Sequence, residues 1–189
     1  MTMRALALSI SFGFASPAYA QDVAILGEVH DNPAHHAEQA ARVTQIRPKA
    51  IVFEMLTAEQ AAQVPREAAR AVLTDGPAAS FGAEAARYGL DHALLPEEQA
   101  ARETLQKEAH CDALPPEMLP GMVAIQRLRD AVLARVTIKA LEATGGPVAV
   151  ITGNGHARRD WGVPAYLAKA APDLDLWVLG QTEDDRPLD

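Results

Sequence analysis

Val23-Ala24-Ile25-Leu26-Gly27-Glu28-Val29-His30-Asp31-Asn32-Pro33 is the stretch whose reading decides the fold. Its first four residues are apolar without alternation, the pattern of a strand buried on both faces rather than one with a wet side. Gly27 lets the backbone turn, and a carboxylate and an imidazole follow at once. Asp31 or Asn32 then offers an N-cap and Pro33 suits a first helical turn. A helix is predicted over Ala34–Gln45, ended by Pro48, and a second continuous apolar strand over Ala50–Phe53, closing at Glu54. Strand, helix and strand at this spacing predict a right-handed βαβ unit with parallel strands.

The same grammar recurs near the other end of the chain. Val148–Thr152 reads as a buried strand, and Gly153-Asn154-Gly155-His156 follows directly. Ligands of open α/β sheets collect beyond the carboxyl ends of the strands. Two glycine–histidine elements at two such ends predict one composite site, provided the strands are neighbours.

Between these elements, Thr57–Leu73 reads as helix despite Pro65, Thr74–Pro77 as a turn and Ser80–Tyr88 as helix. Asp91–Leu95 is a candidate strand, and Pro96–Glu108 a polar helix. Glu117–Ala143 is the longest helical stretch, with Met122, Ile125, Leu128, Val132, Val136 and Ala140 as its predicted buried stripe. A helix over Pro164–Ala170 leads to a last strand, Leu174–Leu179. The fold class expected is α/β: a mainly parallel sheet with helices on both faces. Strand order is not legible.

The chain has 189 residues and a formal charge of −8. Residues 1–20 have the order of a cleavable signal peptide: Arg4, the apolar run Ala5–Phe14, then Ala18-Tyr19-Ala20 before Gln21. The apolar run is about half of the ~20 residues a membrane span needs. Periplasmic or secreted residence is therefore expected, with residues 21–189 as one domain and 181–189 as a frayed tail. The acidic balance argues against nucleic acid or an anionic membrane surface as partner. Cys111 is the one cysteine, so no intrachain disulfide is available.

Glu28, His30, Glu54 and His156 sit at predicted strand ends. Two carboxylates and two imidazoles suit a divalent metal such as manganese or zinc, or general acid–base work; each carboxylate alone is equally explained as a helix N-terminal partner. His35 and His36 open the first helix, where one of the pair can face the strand-end crevice and reach a metal or a porphyrin iron while the other packs. Arg158 and Arg159 can fork onto a carboxylate or propionate, and Trp161 can lie against a planar ligand. Tyr166 and Tyr88 are phenols of the kind that ligate ferric haem, although two tyrosines in a domain need no such purpose. No nucleophile elbow, dinucleotide fingerprint, phosphate loop, HExxH or CxxC pattern is present.

Taken together, Gly27–His36, Ile51–Leu56, His110-Cys111, Gln126–Asp130 and Ile151–Pro164 resemble the signatures of the ChaN-like family, bacterial haem-binding proteins linked to iron uptake. The resemblance covers residues 23–56 and 106–167. It extends to a superfamily with paired Gly-x-x-His elements that includes the Tiki proteases, TraB proteins and erythromycin esterases. It implies an α/β fold with both elements at one site. It also implies a binding protein for haem or a related iron porphyrin, acting in uptake or storage without turnover. His30, His35, His36, Glu54, His156, Arg158, Arg159 and Tyr166 are the candidate haem-binding residues. A homodimer with cofacial haems and an outer-membrane haem receptor are the implied partners. No cysteine stands near Ala20 to carry a lipid anchor. The superfamily equally implies a metal-dependent hydrolase or protease on Glu28, His30, Glu54 and His156, or a degenerate domain with an interaction role; these readings stay open. The aromatic-rich middle of the family is missing from Thr57–Arg102, which is short here.

Overall fold

Four parallel strands in the order β2-β3-β1-β4 form the sheet. The structure, a computed structural model, describes residues 21–57, 59–60 and 66–183. The leader read over residues 1–20, part of the helix read over Thr57–Leu73, and residues 184–189 of the tail lie outside the described residues.

The strands are β1 (Val23–Glu28), β2 (Ala50–Phe53), β3 (Val148–Gly153) and β4 (Leu176–Leu179). The helices are α1 (Pro33–Ile46), α2 (Arg66–Phe81), α3 (Pro96–Ala109), α4 (Leu119–Thr144), the single turn α5 (Asn154–Ala157) and α6 (Val163–Ala170). Between α2 and α3 lies a 3-10 turn, Ala85–Tyr88. Asn32 is the N-cap of α1: its Oδ1 accepts from the Ala34 and His35 N–H groups at 3.0 and 3.4 Å, and Pro33 follows at the first helical position. β1 and β2 are parallel, as the βαβ reading requires, but β3 lies between them.

Side chains alternate across the sheet with the period of two that strands impose. Val23, Ile25, Val148 and Val150 face α4 and α6, and with Val52, Ala131, Ala134, Ile138, Val163 and Leu167 form the larger core. Ala24, Leu26 and Ile151 face the other way, against Val43 and Ile46 of α1. Among the described residues α1 covers that second face over β1 and its neighbours, and Ile51 and Phe53 of the edge strand β2 are 40% and 58% exposed.

Four sequence expectations are corrected. Asp91–Leu95 is a turn leading into α3, not a strand; its apolar run of Ala93, Leu94 and Leu95 is too short to add a sheet edge, and the backbone carbonyls of Gly89 and His92 are held by Arg127 instead. The interruption at Thr74–Pro77 is real but confined to one residue, Gly76 at φ 81°, ψ 168°, so α2 kinks and resumes to Phe81. The predicted apolar stripe of α4 is only the margin of its buried face: Leu128, Val132 and Ala140 are partly buried against the core, but the most buried line lies beside them. It runs Val123, Arg127, Asp130, Ala131, Ala134, Thr137 and Ile138, while Val136 is 43% exposed. Counting apolar residues alone misplaced the face because three of its members are polar. Of the tail, Gln181–Glu183 is not frayed: Gln181 is buried, and its Nε2 donates to the carbonyls of Gly27 and His35.

Candidate functional site

β1 and β3 are adjacent in register, Val23 opposite Val148 and Glu28 opposite Gly153. The two glycine–histidine elements therefore leave the sheet side by side, as the composite-site reading requires. Close approach explains the glycines. A Cβ on Gly27 would stand 2.6 Å from Asn154 Oδ1, so its absence lets α5 settle against β1. A Cβ on Gly153 would stand 2.8 Å from His30 Nε2 and 3.6 Å from Glu54 Oε2. Gly153 is thus the floor between two clusters of ionisable side chains.

The first cluster centres on Glu28, 7% exposed at the end of β1. Its Oε1 lies 2.9 Å from His30 Nδ1 and its Oε2 3.3 Å from His36 Nε2. Both imidazoles are about half exposed, so this cluster opens to solvent. With Nδ1–H of His30 directed to the carboxylate, its Nε2 lone pair is left toward Gly153. A carboxylate behind a histidine in this manner fixes the tautomer and the ring orientation. His35 is different. Its Nδ1 accepts from the Val29 N–H at 3.0 Å, and its Nε2–H donates to the Thr182 carbonyl at 3.1 Å. Both ring nitrogens are committed, and the side chain ties the Gly27–His30 turn to the chain end.

The second cluster is buried. Glu54 accepts from the Gly153 N–H at 2.8 Å and the Thr152 hydroxyl at 2.7 Å through Oε2. Its Oε1 meets Arg129 and, at 3.2 Å, His156 Nε2. His156 Nδ1 lies 2.6 Å from Asp130 Oδ1. Burial alone would raise the Glu54 pKa, but the bond and charge of His156, with the Gly153 and Thr152 donors, hold its carboxyl well below the ordinary range. Burial lifts Asp130 to about 6 against the pull of His156; its Oδ2 has no hydrogen-bond partner. Burial would lower His156, yet the bonds to Asp130 and Glu54 carry it to about 9. At neutral pH His156 is therefore an imidazolium clamped between two carboxylates, with no lone pair to offer.

The arginine patch divides. Arg158 forks onto Asp160, Nε–Oδ1 3.0 Å and Nη2–Oδ2 2.7 Å, and lies 4.0 Å over the Trp161 ring. That fork holds the Asp160 carboxyl below its usual pKa. Arg159 is exposed beside an open pocket of about 340 Å³ bounded by Asn154, Ala157 and Val178. Tyr166 is 5% exposed and stands near Arg127 and Asp130; burial foremost raises its pKa. Tyr88 is buried against Phe81, and Cys111 is exposed at the end of α3.

Sequence reasoning assigned no role to Asp130, Arg129 or Thr152. The signal was present for Asp130: Val123, Arg127, Asp130 and Ala134 recur at helical spacing, so a carboxylate lay on a face otherwise built to be buried. Among the described residues no three His, Cys, Asp or Glu side chains are arranged to hold a metal ion. No described helix is long and apolar enough to cross a membrane.

The model of the family described as "Haem-binding uptake, Tiki superfamily, ChaN" matches residues 14–63 and 60–167. The fold is similar to a solved structure titled "Cofacial heme binding to ChaN of Campylobacter jejuni". The TM-score is 0.57 at 16% identity, covering 89% of this chain and 84% of that one. No curated protein matches in sequence.

Proposed function

Because the chain belongs to the ChaN haem-binding-uptake family of the Tiki superfamily, we propose that it binds haem or a related iron porphyrin, as an exported protein serving iron uptake or storage. The observation that carries this reading is an apolar ledge beside accessible imidazoles. Ile51, Phe53, Met55 and Leu56 are 40–58% exposed. Ile51 and Phe53 lie on the sheet face that also carries α1, the face toward which Glu28 projects by the same alternation. An exposed apolar patch next to polar groups marks a binding surface. A porphyrin presents a flat apolar body, an iron that accepts a nitrogen lone pair, and two carboxylates.

The residues present fit that group. His30 is the candidate ligand: its Nδ1 is directed to Glu28, its Nε2 is available, and Gly153 leaves room around it. His36 shares the same carboxylate and stands at the cluster mouth. Arg159 is exposed beside Val178 and Gly180 at the β4 edge of the sheet, the edge opposite the β2 ledge. Bound haem would supply an iron centre for carriage; this chain's residues orient it and shield one face. The relative whose title names cofacial haem supports a homodimer in which two ledges meet, and an outer-membrane receptor is the matching source or recipient. The buried cluster around His156 serves as the frame that holds Glu54 and Gly153 in place.

The test is a hemin titration of the purified protein read by absorbance. A saturable Soret band distinct from free hemin is expected, with His30→Ala weakening it and His35→Ala leaving the band position unchanged in whatever protein folds. A spectrum identical to free hemin would overturn the proposal.

A further inference from the structure

A second concave site lies on the other side of the sheet, away from the ledge. The Tyr88–Leu95 segment, α3, α4 and α6 enclose a cavity of about 290 Å³. That is near the lower end of the ~300–1,000 Å³ typical of small-molecule sites, and too small for a porphyrin.

Its charge runs against that of the molecule. In a chain of net charge −8, this cavity is lined by Arg102, Arg127 and Lys169 against Glu98 and Asp160. Both acids are already engaged, Glu98 by Arg102 and Asp160 by Arg158. Arg127 and Lys169 have no carboxylate partner among the described residues. Arg127 is the more telling of the two. Only 9% of it is exposed, and its Nη2 donates to the Gly89 and His92 carbonyls at 3.2 and 2.9 Å. Its enclosed Nε–H has no partner. A buried charged donor left unmet is costly, and the cost is relieved by an anion. The Lys169 side chain lies along Gly89, where a Cβ would come within 3.2 Å of its Nζ. Gly89 thereby lets the ammonium reach the cavity. The remaining wall is apolar: Trp161, held flat beneath two guanidinium groups, with Leu94 and Ala165.

We propose that this cavity binds a small carboxylate with an apolar body, its carboxyl group taken by the Arg127 guanidinium and the Lys169 ammonium and its body by Trp161 and Leu94. The site is independent of porphyrin binding.

Benzoate is the probe, followed by calorimetric titration and Trp161 fluorescence, with benzyl alcohol as the uncharged control. Saturable one-to-one binding of benzoate, little or none of benzyl alcohol, and loss of about tenfold in affinity in Lys169→Gln are expected for one charge-assisted contact. Lys169 is at the surface, so that variant retains the fold; Arg127→Gln, which also gives up the loop carbonyls, is expected to lose binding altogether. Absence of saturable benzoate binding, equal binding of the alcohol, or an unchanged Lys169→Gln would overturn the proposal. Hemin-loaded protein is expected to bind benzoate with the same affinity. Competition between the two would place the cavity within the porphyrin site and overturn the inference, whereas failure of hemin binding alone leaves the benzoate result standing.

Discussion

Removing the His156–Asp130 pair should flatten the stability of this protein between pH 6.5 and 9. In the folded state His156 is raised from 6.5 to about 9, so the folded chain holds a proton that the unfolded chain releases. Stability from that proton is fully present below 6.5 and is lost as pH rises through 9. Each pH step of one is worth about 1.4 kcal/mol, so the wild type is expected to lose about 3 kcal/mol across the window. Neither carboxylate partner contributes there: Glu54 is held low, and Asp130 at about 6 has largely ionised before the window opens. Asp130 acts below the window with the opposite sense to a usual acid, since its raised pKa makes its ionisation between pH 4 and 6 a cost to folding. The variant is the double substitution His156→Gln, Asp130→Asn, because a single substitution strands one buried charge at about 3–5 kcal/mol. Urea unfolding at pH 6.5, 7.5, 8.5 and 9.5 is the assay. The wild-type midpoint should fall with pH while the difference between wild type and double variant shrinks by about 3 kcal/mol. Parallel profiles would refute the assignment of an imidazolium to His156.

Other predictions address the rim and its supports. Gly153→Ala should displace His30, whose Nε2 lies 2.8 Å from the added carbon; because His30 is half exposed and can swing away, hemin affinity should fall while the melting temperature changes little. Phe53→Ser, at a position 58% exposed, should leave stability within about 0.5 kcal/mol and weaken hemin binding in the same titration. Gly162→Ala should be severe by contrast, since its Cβ would meet the His156 carbonyl oxygen at 2.4 Å and the Arg158 carbonyl oxygen at 2.7 Å; loss of soluble protein or of the pH dependence above is the readout. His35→Ala gives up two hydrogen bonds of a buried ring and should cost about 1–3 kcal/mol in urea unfolding.

The sequence on its own determined the framework. Continuous apolar runs at Val23–Leu26, Ala50–Phe53 and Val148–Ile151, closed by Gly27, Glu54 and Thr152-Gly153, specify parallel strands, of which β1 and β3 are buried on both faces while β2 is an edge with Ile51 and Phe53 exposed, and Asn32-Pro33 specifies where α1 begins; these are local signals of backbone preference and burial. The glycine–histidine pairs also marked the two strand ends that lie side by side, since a strand end is a local property as well. What the tertiary structure decided was pairing. Strand order rests on contacts between segments about a hundred residues apart or more, which no local pattern records. For the same reason only the fold could separate the histidines. His30 and His36 share Glu28 at an open rim, His35 is tied into the chain, and His156 is fixed as a cation by Asp130 from the middle of a distant helix. A side chain's chemistry is set by the partner it meets, and in this chain those partners arrive from elsewhere in the sequence.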